Sequence, residues 1–371
     1  MQRRVWLVAS GFEPRSSTLY TLRLAGRLPE FGVEPKIVCS AAAQIPQRLR
    51  SALDVVDVPY LHNRFWRRWN LKRFVRGFAD DPPDVIHAQR RAHLPAALEL
   101  AALLDRPCVV TVHEQVPAGA RVADASRLLV VLAVNRSVER DLAVKLGVPE
   151  ARVHYMPAGV EIPANLPAPA ASRDGKSRLP VVGMASVLDP SKGALYFVMA
   201  AELILSSGQD VEFLIAGTGP DEQSLRRAAR KLDIAHSVTF VGHSFDYREL
   251  LSAIDLFVSP SLEEGLAVIV LEAMAAGLPV VATKVSGMAE IFHDNEHLFF
   301  VPPANHIQLA EKIQTLLDNP ARARRVAEAG KEFVRREFSV DRMVRDVAAV
   351  YERVAEEGRG ARGEGREVKL A

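Results

Sequence analysis

Short unbroken runs of apolar residues alternate along this chain with longer segments whose apolar positions recur at helical spacing, as expected for buried parallel strands separated by helices. Arg3 to Ser10 (RRVWLVAS) reads as the first strand. After a loop at Gly11 to Thr18, a helix is predicted over Leu19 to Leu28, with Ser16 or Ser17 as its N-cap. Strands follow at Pro35 to Cys39, Val55 to Val58, Asp84 to His87, Cys108 to His113 and Leu128 to Ala133, separated by helical segments such as His93 to Leu104. A second series has strands at Val181 to Ala185, Val211 to Ala216 and Val238 to Gly242, with helices at Gly193 to Leu205, Asp221 to Leu232 and Tyr247 to Ala253. Helices Asn305 to Leu317, Pro320 to Arg336 and Val340 to Glu356 close it. Strand alternating with helix throughout predicts doubly wound parallel sheets. Between the two series, Ala158 to Pro180 holds four prolines and no hydrophobic period, which marks a linker. The tail Gly358 to Ala371, rich in glycine and charge, is expected to be disordered.

The stretch Phe257 to Glu290 departs from the amphipathic norm. A buried strand ends at Ser259 and Pro260, and from Leu266 to Ala276 nearly every residue is apolar, so this helix is expected to be buried on most sides. Gly277 and Pro279 stop it, and VVAT is the next strand. Two of its carboxylates stand out: Glu264 just ahead of the helix, and Glu272 two turns into it, roughly 12 Å further along the axis. A lone carboxylate in a buried helix needs a hydrogen-bonding partner. One reading pairs Glu272 with an internal Arg or a backbone cap. The other places an anion at the helix start between the two acids, an order that matches the sugar, diphosphate and ribose diol of a sugar nucleotide.

At 371 residues, 25% charged and 49% hydrophobic, the chain suits two globular domains, and a net charge of +2 gives no overall nucleic-acid signal. Cys39 and Cys108 lack disulfide or zinc spacing, which favours a reducing compartment. No apolar run reaches membrane-spanning length and MQRRVWLVAS is too short for a secretion signal, so a cytoplasmic protein is expected. His62 to Phe78 (HNRFWRRWNLKRFVRGF) carries six Lys or Arg and no acid, interleaved with aromatics. Its early and late aromatics fall on opposite sides of a helical wheel, so one interfacial helix needs a break near Asn70. The open readings are a helix packed on the sheet with a solvated basic face, contact with an anionic membrane surface or lipid acceptor, or, third, contact with a nucleic-acid backbone.

The ordered motifs resemble the retaining GT-B glycosyltransferases of family 4, which use nucleotide sugars. The matching pieces are PSLEEGLAVIVLEAMAAGLPVVAT with its Glu-x7-Glu, LDPSKG at Leu188 to Gly193, FLIAGTGPDEQSLRR, VTFVGH and VHYMPAGVE, with DVIHA and VVTVHE in order in the first half. The resemblance implies two Rossmann-like domains facing a cleft: an acceptor-side domain over 1–165, a linker over 166–180, a donor-binding domain over 181–338 and a helix over 339–357 returning to the first domain. It implies that Glu272 holds the ribose diol, that Glu264 meets the donor sugar's hydroxyls, and that Lys192 neutralises the diphosphate. His113 would sit by the sugar and leaving phosphate. Gly265, Leu266 and Ala267 would line the donor site, with the base near Gly217, Gly219 and His243. The donor is a co-substrate; no metal, cofactor or nucleic-acid partner is implied.

Several positions depart from the family pattern. Val187 stands where Arg is usual, which removes a charge-assisted contact of about 1.5–3 kcal/mol unless Arg15, Arg90 or Arg91 replaces it. Ser16 and Ser17 replace paired glycines, Ala158 replaces Asn, and Ala267 stands where Gly is common. With these, Arg15, Ser16, Arg90 and Arg91 are candidate phosphate or acceptor contacts. The expected activity is transfer of a sugar from a UDP- or GDP-sugar to a hydroxyl acceptor, lipid-linked or glycan. A sugar-nucleotide epimerase or hydrolase, or a non-catalytic transferase subunit, is the competing reading.

Overall fold

The computed structural model describes residues 2–9, 16–40, 42–45, 47–63, 65–78, 81–114, 116, 128–163, 178–242, 248–263 and 265–363. Glu264, His243, Arg15, most of the linker and the last eight residues of the tail lie outside them. The chain divides into two compact units, Met1–Gly159 with Val340–Ala371, and Val160–Ser339.

The first unit contains β1 (Arg3–Val8), α1 (Ser16–Arg27), β2 (Val33–Cys39), α2 (Gln47–Arg50), β3 (Val55–Asp57), α3 (Arg67–Arg76), β4 (Val85–Ala88), α4 (Leu94–Leu104), β5 (Cys108–Val112), β6 (Leu128–Ala133), α5 (Arg136–Leu146) and β7 (Val153–Tyr155). Its strands are parallel in the order β3-β2-β1-β4-β5-β6-β7. Every side chain of β4 and β5 is buried, which explains why apolar residues fill both faces apart from the mutually bonded His87 and Thr111. The chain runs outward from β1 to β3 and then returns to the other side of β1, so the switch in winding lies between the ends of β1 and β4.

The second unit contains β8 (Val181–Ala185), α6 (Ala194–Ser206), β9 (Glu212–Ala216), α7 (Glu222–Lys231), β10 (Val238–Val241), α8 (Arg248–Ala253), β11 (Leu256–Ser259), α9 (Val268–Ala275), β12 (Val280–Thr283), α10 (Ser286–Ala289), β13 (Phe299–Val301), α11 (His306–Asp318) and α12 (Pro320–Glu337). The parallel order β10-β9-β8-β11-β12-β13 puts its switch between β8 and β11. Two doubly wound parallel sheets are therefore present, as the alternating pattern predicts.

The last helix, α13 (Val340–Gly363), belongs to the first unit. Met343, Val344, Val347, Val350, Tyr351, Val354 and Ala355 are buried along one face at helical spacing. The helix continues past the predicted end at Glu356 to Gly363, so the first residues of the expected disordered tail are helical. Tyr351 reaches the centre of the sheet: its hydroxyl is 2.6 Å from Nδ1 of His87 in β4, whose Nε2 is 2.8 Å from Oγ1 of Thr111 in β5. Both His87 and Tyr351 are fully buried. Tyr351→Phe strands one ring nitrogen in the core, and chemical denaturation is expected to register a loss of about 1–3 kcal/mol.

The structure differs from the sequence pattern, or settles it, in three places. α1 begins at Ser16, so Ser16 and Ser17 form its first turn and do not cap it; Thr21 Oγ1 donates to the Ser17 carbonyl within the helix. The short strands β7 and β13 are not resolved by pattern, because three residues give too few alternations to register a period. α3 has no break at Asn70: Leu71 is buried and Phe74, Val75 and Phe78 pack on the core, while Trp66 and Trp69 face outward. Its two aromatic sets serve opposite faces of one helix. Among the described residues, no helix is long and apolar enough to cross a membrane. Neither cysteine forms a disulfide, and burial pushes the Cys108 thiol up to about 12.

Candidate active site

In the second unit, the loop after β8 (Ser186 to Gly193) and the loop after β11 (Pro260 to Ala267) leave the switch point side by side. Leu262 N–H donates to the Ser191 carbonyl at 2.7 Å, which ties the two loops together. The β9 loop joins them, because Leu188 N–H donates to the Thr218 carbonyl at 3.0 Å. Glycines make this crossing possible. A Cβ on Gly217 (φ +136) would overlap the Ser186 carbonyl, one on Gly219 the Leu188 carbonyl, one on Gly193 (φ +66) the Pro260 carbonyl, and one on Gly287 the Gly265 carbonyl. Gly217 and Gly219 are thus required by backbone packing whatever they bind. Gly193→Ala combines a left-handed backbone with a main-chain overlap, and a loss of about 2–3 kcal/mol in urea unfolding followed by circular dichroism is expected.

Lys192 ends a single helical turn, Pro190–Lys192, whose N-cap Asp189 accepts from Ser191 N–H at 2.9 Å. Its backbone N–H also donates to the Asp189 carbonyl at 3.1 Å. The half-buried lysine is therefore placed by backbone geometry that precedes any ligand. Ser186 Oγ, at the end of β8, is buried with no hydrogen-bond partner among the described residues.

α9 starts at Val268, not Leu266, with Ala267 as an N-cap that supplies no side-chain bond to the first turn. Its opening N–H groups thus keep the anion-binding potential of a helix start. Val270, Leu271, Ala273, Met274 and Ala275 are buried, whereas Val268, Ile269 and Glu272 are half-buried and share one stripe at spacings of three and four. This corrects the expectation that Glu272 is a buried carboxylate: apolar residues extend around the helix, but one side of it is partly open. Gly265 and Leu266 are half-buried beside this start, and Ala267 is buried.

The first unit gathers polar groups at its own switch point. His113 follows β5, and its Nε2 is 3.1 Å from the Gln89 carbonyl, just past β4. A carbonyl accepts, so Nε2 carries the hydrogen and Nδ1 is left as the acceptor nitrogen. The ring meets Tyr20 edge-on at 5.1 Å. Burial first, and Arg90 second, hold the His113 pKa at about 4, so it is neutral at neutral pH. Gln89 is 1% exposed; its Oε1 accepts from Thr21 Oγ1 at 3.1 Å, while its Nε2 has no partner among the described residues. Two further histidines were not singled out from sequence. His62 Nε2 is 3.1 Å from the Ala9 carbonyl after β1, and its ring lies 5.1 Å from that of His93, which opens α4 and is held at about 3 mainly by burial. Positions 62 and 93 converge only because β1 and β4 are neighbours.

Of the candidate arginines, Arg90 is paired with Glu114, because the ends of β4 and β5 are adjacent. It is therefore not an unspent phosphate contact in this state. Arg91 is half-buried and forms no ion pair among the described residues. Ser16 opens α1, and Arg15, His243 and Glu264 lie outside the described residues.

Two family models match adjoining parts of the chain: Glycosyltransferase Family 4 over residues 18–162 and Glycosyl transferases group 1 over residues 171–333. With the two doubly wound sheets, these matches define a glycosyltransferase of the GT-B fold. The chain is 26% identical over 377 residues to a 2-deoxystreptamine glucosyltransferase of Streptomyces kanamyceticus, covering 90% of this chain and 97% of that protein. It is 25% identical over 365 residues to a phosphatidyl-myo-inositol mannosyltransferase of Mycobacterium leprae, covering 91% and 93%. The crystal structure of Anabaena HepE in complex with UDP and glucose superposes with a TM-score of 0.77 at 18% identity, covering 94% of this chain and 99% of that one.

Proposed function

We propose that this glycosyltransferase moves a sugar, with retention and without a metal ion, from a UDP- or GDP-sugar to a hydroxyl acceptor in cell-envelope polysaccharide, glycolipid or related glycoconjugate synthesis. The observation that carries the reading is the crossing of the β8 and β11 loops in front of the uncapped start of α9, with Lys192 on one loop and Glu272 on the helix. A leaving diphosphate would meet the Lys192 ammonium and the positive end of the helix, and both stabilise charge that develops as the glycosidic bond breaks. Glu272 would accept from the ribose hydroxyls, Gly217 to Gly219 would border the base, and Glu264 would accept from hydroxyls of the transferred sugar. His113, neutral and with its Nε2–H engaged, is suited to accept a hydroxyl hydrogen at Nδ1 but adds no positive charge. Stabilising the leaving group therefore falls to Lys192 and the helix. Attack by the acceptor on the face the diphosphate leaves would account for retention without a side-chain nucleophile.

The named activities of the relatives, glucosyl and mannosyl transfer, and the UDP bound to HepE support a nucleotide-sugar donor. A lipid-linked or glycan acceptor, met at an anionic membrane surface, accords with the phosphatidyl-inositol relative. The test is a thermal-shift screen against UDP- and GDP-sugars. One donor is expected to raise the melting temperature, and Glu272→Ala to weaken its affinity roughly ten- to hundredfold, the value of hydrogen bonds to a charged acceptor. No shift with any sugar nucleotide sinks the reading.

A further inference from the structure

We propose that the outer face of α3 and the loop before it dock on an anionic lipid bilayer, and that the acceptor is a membrane-embedded amphiphile whose hydroxylated headgroup enters the first unit beside His62, His93 and Gln89. The acceptor assignment rests on the transferase reading; the docking surface does not.

α3 has two separate faces. Inward, Leu71, Phe74, Val75 and Phe78 fill the core, with Phe74 and Phe78 each 5.1 Å from the ring of Trp6, and Arg67 Nε donates to Glu99 of α4 at 2.7 Å. These contacts hold the helix rigidly, and they spend none of its other cations. Outward, Tyr60, Phe65, Trp66 and Trp69 are 64%, 88%, 59% and 61% exposed. Arg68, Lys72, Arg73 and Arg76 are exposed on the same helix, and among the described residues none of them has a carboxylate partner. A soluble chain rarely displays adjacent large aromatics without a partner for them. Indole rings and unpaired cations together fit the headgroup layer of an anionic bilayer, where aromatics settle at the interface and each cation adds attraction. Just before the helix, Asn63 Oδ1 accepts from Phe65 N–H at 2.9 Å and from Trp66 N–H at 3.3 Å.

His62 links this surface to the polar groups at the switch point of the first unit. His62 immediately precedes Asn63, and its ring already lies between the Ala9 carbonyl and His93 at the ends of β1 and α4. Gln89 N–H donates to the Val8 carbonyl in the same place, and the amide Nε2 of Gln89 is buried and unsatisfied. An unsatisfied amide and neutral imidazoles suit a hydroxylated headgroup reaching in from a bilayer only a few residues away.

The three tryptophans make the test direct, since Trp6 is buried whereas Trp66 and Trp69 are exposed. The whole protein is titrated with vesicles of phosphatidylglycerol and phosphatidylcholine, and with phosphatidylcholine alone. Docking predicts a blue shift in fluorescence and co-sedimentation with the anionic vesicles only, both weakened by salt. Arg68→Gln with Arg73→Gln is expected to weaken partitioning roughly 30-fold, about fivefold per cation, and Trp69→Ala to weaken it and reduce the shift, with donor binding unchanged. Gln89→Leu is expected to lower sugar transfer into lipid extract carried in the same vesicles without changing partitioning. Charge-independent binding, wild-type partitioning of the double variant, equal binding to single-stranded RNA, or a dimer that buries the patch overturns the docking surface. Unchanged lipid transfer by Gln89→Leu overturns the headgroup assignment. Because partitioning is read without donor or transfer, it stands or falls independently of the enzyme reading.

Discussion

Lys192→Ala is expected to lower kcat/KM for the sugar nucleotide by about a hundred- to a thousandfold, the usual consequence of deleting one preorganised donor from a site where negative charge develops. The turn that carries Lys192 is held by Asp189 and Gly193 through backbone contacts, so the loss falls on charge and not on the loop. Val187, 55% exposed on the same loop, has no charge to compensate. Lys192→Arg should recover part of the activity. Initial rates in which Lys192→Ala costs less than tenfold, with the loop still ordered, would remove Lys192 from the diphosphate site.

Acid is expected to destabilise the first unit well above the range where carboxylates titrate. His87 and His93 are held at about 3 in the folded protein, chiefly by burial, while an unfolded histidine titrates near 6.5. Below that value the unfolded chain binds more protons, so stability falls with pH from about 6.5 toward 3, and above 6.5 these two groups contribute no pH dependence. At pH 5 each costs about 2 kcal/mol relative to neutral pH, about 4 kcal/mol together. Trp6, Trp66 and Trp69 all lie in the first unit, so their fluorescence in urea reports that unit without the other. Stability that is level between pH 7 and pH 5 would contradict the buried, neutral state of these rings.

The parallel architecture was legible because β4, β5, β8 and β12 are buried on both faces and leave continuous apolar runs. The elements that pattern missed are short or set by neighbours. β7 needs the edge of β6, and the end of α13 depends on packing that composition does not display, such as Gly358 against Pro107. Within the candidate site, Lys192 and the glycines could be read from their motifs, but the reason for the glycines could not. Their overlaps are with carbonyls 22 to 67 positions away along the chain, and only sheet order brings those together. The same holds for the histidines. His62, His87, His93 and His113 come from four separate segments, and Arg90 meets Glu114 only through the pairing of β4 with β5. The half-open face of Glu272 is hidden in the sequence, because an apolar side chain does not reveal whether its stripe is covered. Val268 and Ile269 are apolar and still partly open.

On this reading the β8 and β11 loops with α9 hold a sugar nucleotide whose diphosphate leaves as the sugar moves to a hydroxyl acceptor. Mixing the purified protein with UDP- and GDP-sugars, with and without lipid and glycan acceptor extracts, and measuring released nucleoside diphosphate tests it most directly. Acceptor-dependent release from one donor, with the sugar recovered on the acceptor, is the predicted result. Release that ignores the acceptor, a sugar altered while still attached to its nucleotide, or no release from any donor would contradict it.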